Sequence, residues 1–214
     1  MDTLLKNKFD SIIFDLDGTL WDSTINVGNA WQAIKEQVDY VKEDITQQAV
    51  KSITGMPYKA IFEKLFPYLD EEKRNEFKEL CAVSELEYLH RYGGELYPQL
   101  EPTIKYLAER YRLFIVSNCQ SGYIEIFLHH SKLGHFFAGH QCYGTKNQPK
   151  YQNITDIVTL HHLQAPVYIG DTMGDYEASR KAGVPFIFAE YGFGQVEAGQ
   201  VTTVLQFSDL VELL

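Results

Sequence analysis

Apolar positions fall into two regimes along the chain. Short unbroken runs occur at Ser11 to Phe14, Leu113 to Val116, Val167 to Ile169 and Phe186 to Ala189, rich in β-branched and aromatic residues. Such runs predict buried strands. From Ser23 to roughly Arg91 the period lengthens: Trp31, Ile34, Val38 and Val41 recur at three- and four-residue spacing. Tyr58, Ile61, Phe62, Leu65 and Phe66 repeat the stripe, as do Phe77, Leu80, Cys81 and Tyr88. This pattern predicts a small helical bundle broken at Gly55 and Pro57. Gly93, Gly94 and Pro98 then interrupt the chain before helix and strand signals alternate. Alternation predicts an α/β architecture, a parallel sheet covered by helices. The expected division is a discontinuous core of residues 1–21 and 94–214 with a helical insert of residues 22–93.

Composition narrows the function classes. With 214 residues and 45% hydrophobic content, the chain can bury one sizeable core or a core with a smaller satellite. A formal charge of −10 offers no basic footprint for nucleic acid or an anionic membrane. An anionic ligand must therefore be attracted locally, by a bound cation or one or two lysines. Cys81, Cys119 and Cys142 are scattered without CxxC spacing, which argues for a reducing compartment and against structural zinc or a disulfide framework. Cys119 reads as packing or as an oxidation-sensitive thiol beside Ser117. Met1 to Lys6 lacks an apolar h-region, and no apolar run is of membrane-spanning length. The expectation is a cytoplasmic protein.

The chemistry gathers where the strand-like runs end. Ser11 to Phe14 leads into Asp15-Leu16-Asp17-Gly18-Thr19, which puts two carboxylates at i and i+2, on one side of an extended segment. Leu113 to Val116 ends in Ser117-Asn118, and Val167 to Ile169 ends in Gly170-Asp171 with Asp175 four residues on. Lys146 and Lys150 lie between the last two. Loops at the carboxyl ends of parallel strands carry α/β active sites. Taken in this order, the motifs resemble those of the haloacid dehalogenase superfamily, from about Phe9 to about Gly194. Ser117 to Tyr123, Ala182 to Pro185 and Tyr191 to Gly194 are similar to the phosphoglycolate phosphatase-like branch with a helical cap.

The resemblance implies a Rossmann-like core with an inserted α-helical cap, and a Mg²⁺-dependent phosphatase acting on a small phosphomonoester. On this reading Asp15 is the nucleophile that forms an aspartyl phosphate. Asp17 protonates the leaving oxygen and then deprotonates the attacking water; halide displacement needs no such acid, so the pair favours phosphate chemistry. Thr19, Ser117 and Asn118 hold the phosphoryl group, and Lys150, with Lys146 in reserve, offsets its charge. Magnesium takes carboxylates from Asp15 and Asp171 and the main-chain carbonyl of Asp17, while Asp175 binds through water or orients its neighbours. A phosphosugar mutase and a non-catalytic phosphometabolite sensor are the alternatives.

Asp22-Ser23 and Gly93-Gly94 are hinge positions or ordinary loops on this reading. Trp21 walls the pocket or packs core on cap. Met56 and Tyr58, in the segment Thr54 to Lys59, face substrate or begin a helix. His129, His130, His161 and His162 read as mostly solvated, because adjacent helical residues diverge by about 100°. Expected partners are a small phosphorylated metabolite, neither nucleic acid nor membrane, and at most a small homo-oligomer.

Overall fold

A computed structural model describes residues 5, 6, 8–197, 199 and 201–214 of the chain. Part of the amino-terminal segment Met1 to Lys6, and residue 7 of the expected core, therefore lie outside the described residues, as do 198 and 200. Strand β1 (Ser11–Phe14) and the short β2 (Trp21–Asp22) precede four helices: α1 (Thr24–Lys35), α2 (Gln47–Lys51), α3 (Tyr58–Leu65) and α4 (Glu71–Tyr92). Next come β3 (Glu95–Leu96), α5 (Leu100–Ala108), β4 (Arg112–Ser117), α6 (Tyr123–Ser131), β5 (Phe137–Cys142), α7 (Tyr143–Lys146) and α8 (Lys150–Leu160). The chain finishes with β6 (Pro166–Gly170), α9 (Met173–Lys181), β7 (Phe186–Ala189), β8 (Thr202–Val204) and α10 (Leu210–Leu213).

Six strands form a parallel sheet in the order β5-β4-β1-β6-β7-β8. The strand β1 is fully buried and lies between β4 and β6, with Phe14 beside both Ile115 and Ile169. Alternation along it sends Ile12 and Phe14 into one hydrophobic layer and Ile13 into the other. Burial on both faces is why these strands read as unbroken apolar runs. Because the strands are parallel and in register, the residues just after β1, β4 and β6 emerge at one edge.

All four strands expected from the apolar runs are present, extended by a residue at each end in β4 and β6. Strands β5 and β8 were not expected. Phe137–Cys142 carries Gly139, His140 and Gln141 and is only partly buried at the sheet margin, so it lacks the apolar density of its neighbours.

Two other details of the pattern differ. The helix containing Trp31 stops at Lys35, where Gln37 and Val38 donate to the carbonyls of Ile34 and Lys35 and wind the chain into turns. Val38 and Val41 therefore pack from a loop. Leu80 is exposed, and the inward face of α4 is Phe77, Cys81, Ser84, Glu85 and Leu89. That helix starts where Asp70 accepts from Lys73 N–H and ends at Gly93, whose φ of +67° suits glycine. At the foot of the helical segment β2 pairs antiparallel with β3, so the two chain crossings run side by side. Among the described residues, no helix is long and apolar enough to cross a membrane.

Candidate active site

Asp15 directly follows β1 and donates its N–H to the carbonyl of Ile169 at 2.8 Å, which ties the strand end to β6. The chain then turns back on the Leu16 carbonyl. Gly18 sits at φ +85°, and a Cβ there would lie 2.2 Å from Asp171 Oδ2. Only glycine permits that approach. Gly192 presses in from the other side, where a Cβ would lie 2.3 Å from Asp171 Cβ, and Phe193 N–H donates to Asp171 Oδ2 at 2.8 Å. Asp171 is thus fixed between two glycine loops.

Lys150 opens α8, and its buried Nζ donates to Asp15 Oδ1 at 2.9 Å and to Asp175 Oδ1 at 2.6 Å. Lys146 points elsewhere, pairing with Asp156 at 2.8 Å on the surface. Asp175 is held on both oxygens. Its Oδ2 accepts from the N–H and hydroxyl of Thr172, and its Oδ1 also from Tyr168 OH at 3.3 Å. Thr19 is buried, its hydroxyl 3.4 Å from Asp171 Oδ1, and its carbonyl accepts from Tyr191 OH.

Asp17 is gripped through one oxygen. Its Oδ1 accepts from Trp21 Nε1 at 2.9 Å, Ser23 Oγ at 2.6 Å and Tyr123 OH at 3.0 Å. Burial raises the Asp17 carboxyl to about 6, against the lowering effect of those three donors. Trp21 also packs edge-on against Tyr123 and Phe127.

Asp15 and Asp17 line a cavity of about 60 Å³, walled also by Ser117, Asn118, Cys119, Tyr123, Met56, Tyr58 and Glu85. Asn118 Nδ2 donates to Gly55 O at 2.8 Å, linking the end of β4 to the loop before α3. The four histidines lie away from these residues: His130 bonds the carbonyl of His90 and His161 packs against Phe114.

Ligand oxygens of Asp15, Asp171 and Asp175 lie within 4.8 Å of one another. Three buried carboxylates face one buried ammonium. Burial is the main cause that raises Asp15 to about 7 and pushes Asp171 up, each reinforced by Asp175. Burial pulls Lys150 down, but Asp15 and Asp175 outweigh it and hold the ammonium form above its ordinary range. Fully ionised, the cluster would carry more negative charge than the lysine neutralises, in an all-oxygen donor set, and it fits a hard divalent cation.

The residues that sequence reading missed are those that orient the others. Ser23 and Thr172 lie beside the motifs and carried a weak signal. Tyr123 and Tyr168 carried none, because their contacts join distant segments. Glu85 did carry a signal, as an acid on the Phe77–Cys81–Tyr88 stripe.

The haloacid dehalogenase-like hydrolase family matches residues 12–189. Among curated proteins, the phosphoglycolate phosphatase of Aquifex aeolicus is 26% identical, over 95% of both chains. That of Aliivibrio fischeri is 25% identical, over 87% of this chain and 86% of its own. Among solved structures, a haloacid dehalogenase-like hydrolase from Streptococcus pneumoniae superposes with a TM-score of 0.83 at 21% identity, over 95% of this chain and 97% of that one. That likeness bears on the fold.

Proposed function

The chain belongs to the haloacid dehalogenase-like hydrolase family, and from that membership we propose a Mg²⁺-dependent phosphatase that cleaves a small phosphomonoester through an aspartyl phosphate on Asp15. The observation that carries the reading is the buried Lys150 ammonium, 2.9 Å from Asp15 and 2.6 Å from Asp175, at the sheet edge where Ser117 and Asp171 also emerge. The names of the curated relatives support the substrate type.

In the first displacement an Asp15 carboxylate oxygen attacks phosphorus. The bond from phosphorus to the leaving oxygen breaks with its electron pair on oxygen, and Asp17 delivers a proton to that oxygen. In the second, Asp17 takes a proton from water as the water oxygen attacks phosphorus, which returns the Asp15 carboxylate and releases phosphate. Ser23, Tyr123 and Trp21 hold Asp17 in place for both transfers. Lys150 neutralises charge on the phosphorylated Asp15, and Ser117, Asn118 and Thr19 are the donors assigned to the phosphoryl oxygens. Asp15, Asp171 and the main-chain carbonyl of Asp17 would hold Mg²⁺, with Asp175 orienting Lys150; the cation, when bound, supplies charge neutralisation of the phosphoryl group. Residues 22–93 serve as a cap over the core of 1–21 and 94–214, closing at the paired crossings to exclude bulk water.

The test is phosphate release from a panel of phosphomonoesters with Mg²⁺ and with chelator, in native protein and Asp15→Asn. Chelator should abolish turnover, and Asp15→Asn should lower it by about 10³-fold or more. Turnover that persists in Asp15→Asn would overturn the assignment of the nucleophile.

A further inference from the structure

Glu85 is an acid that the proposed chemistry leaves unused. It projects from α4 toward the core, is almost fully buried, and walls the same cavity as Asp15 and Asp17. Its Oε2 accepts from Trp31 Nε1 at 2.8 Å and Tyr58 OH at 3.3 Å, and its Oε1 from Gln120 Nε2 at 3.0 Å. All three partners are neutral, so nothing cancels its charge. The other charged side chains lining the cavity are Asp15 and Asp17; no Lys, Arg or His is among the described residues there. A second acceptor adds to this. Asn118 Oδ1 is buried without a partner, and its orientation is set because the amide nitrogen donates to Gly55 O.

Above about pH 7, where Glu85 is ionised, a carboxylate brought into this space would meet a second carboxylate and an orphan acceptor, with no basic side chain in the lining to receive it. Like charges placed together at a desolvated contact are strongly disfavoured. A hydroxyl or amine would instead find the acceptors it needs, and would satisfy Asn118 Oδ1. The cavity, at about 60 Å³, is on the scale of a leaving group of a few heavy atoms. A neighbouring groove shares Thr54, Gly55, Met56 and Asn118 with the cavity and carries Lys51, Lys150 and Lys181, of which Lys51 is paired with Asp22 at 3.0 Å and Lys150 with Asp15 and Asp175.

We infer that Glu85 and Asn118 select a small phosphorylated alcohol whose leaving group carries a hydroxyl or amine and no carboxylate, so that this chain disfavours the substrate for which its curated relatives are named. The inference rests on the phosphatase reading above and refines it.

The experiment compares 2-phosphoglycolate with phosphoethanolamine and glycerol phosphate, with p-nitrophenyl phosphate as a generic ester. It reads kcat/KM in native protein and Glu85→Gln, and binding by calorimetry to the inactive Asp15→Asn. Native protein should prefer one of the donor-bearing esters over phosphoglycolate by about tenfold or more in both readouts, and Glu85→Gln should narrow that ratio. Phosphoglycolate ranking first in native protein would overturn the inference while leaving the phosphatase reading intact, and this arm stands even if the variant does not fold. A ratio unchanged in a folded Glu85→Gln would overturn the role of Glu85. No release from any ester, p-nitrophenyl phosphate included, would overturn both readings.

Discussion

Lys150 and Lys146 are the same residue type four positions apart, and their surroundings separate them completely. Removing Lys150 leaves Asp15 and Asp175 buried together without a counter-charge, which typically costs about 3–5 kcal/mol. Lys150→Ala should therefore lower the urea midpoint strongly and cut turnover by about 10²- to 10³-fold. Lys146 forms an exposed pair with Asp156, worth at most about 1 kcal/mol, so Lys146→Ala should leave both measurements close to native. Equal losses in the two variants would refute the proposed role of Lys150. Asp15, Ser117 and Asp171 were legible in the sequence because each ends a buried apolar run, and the chain itself announces that boundary. The grip on Asp17 was not legible, since Tyr123 reaches it across 106 positions and no local pattern encodes that meeting.

At the scale of elements, the start of α9 joins helix capping to the site. Thr172 accepts from Asp175 N–H while the Asp175 side chain accepts from Thr172 N–H, a capping box whose acid also holds Lys150. Thr172→Ala should cost about 1 kcal/mol in chemical denaturation. It should also lower turnover, because Asp175 loses a donor; a stability loss with unchanged kcat would show that Lys150, Tyr168 and the Thr172 N–H suffice to fix that carboxylate. Gly192→Ala tests the opposing loop. A Cβ there would lie 2.3 Å from Asp171 Cβ and 2.4 Å from Gly18 O, neither of which is a flexible chain end. Turnover should fall steeply, and native activity in that variant would mean the loop can retreat without moving Asp171. The central strands could be read from the sequence because burial on both faces demands continuous apolar residues. The marginal strands β5 and β8 could not, since partial burial permits Gly, His, Gln and Thr. The end of α1 was equally hidden, for Val38 and Val41 pack inward from a loop at spacing a helix would also give.

The whole molecule combines a net charge of −10 with acids buried between its helical segment and its sheet. Among the described residues, Glu85 is the one of these outside the proposed metal cluster, and it makes a property of the entire fold measurable. Burial raises it to about 7, with Asp17 reinforcing and the bonds from Gln120, Trp31 and Tyr58 opposing. The other titratable groups around it, Tyr58, Cys81 and Tyr123, are themselves pushed up by burial and stay neutral near pH 7. In the unfolded chain a glutamate titrates near about 4.3. Between those values the folded state binds the proton that the unfolded state has released, so stability falls as pH rises through this window. The cost is absent below about pH 4 and complete above about pH 8, and most of it, roughly 2–3 kcal/mol, develops between pH 5 and pH 8. Glutamine cannot ionise. Whatever Glu85→Gln costs at pH 5 by disturbing three hydrogen bonds, the advantage of native protein over the variant should shrink by that amount at pH 8. Urea denaturation of both proteins at the two pH values measures the difference, and the clustered aspartates cancel because they are common to both. Parallel pH dependence would place the Glu85 carboxyl at its ordinary value, already ionised at pH 5. Convergence would mean that the fold keeps an unpaired acid between its helical segment and its sheet at a standing cost, as expected of a group retained for the ligand it meets.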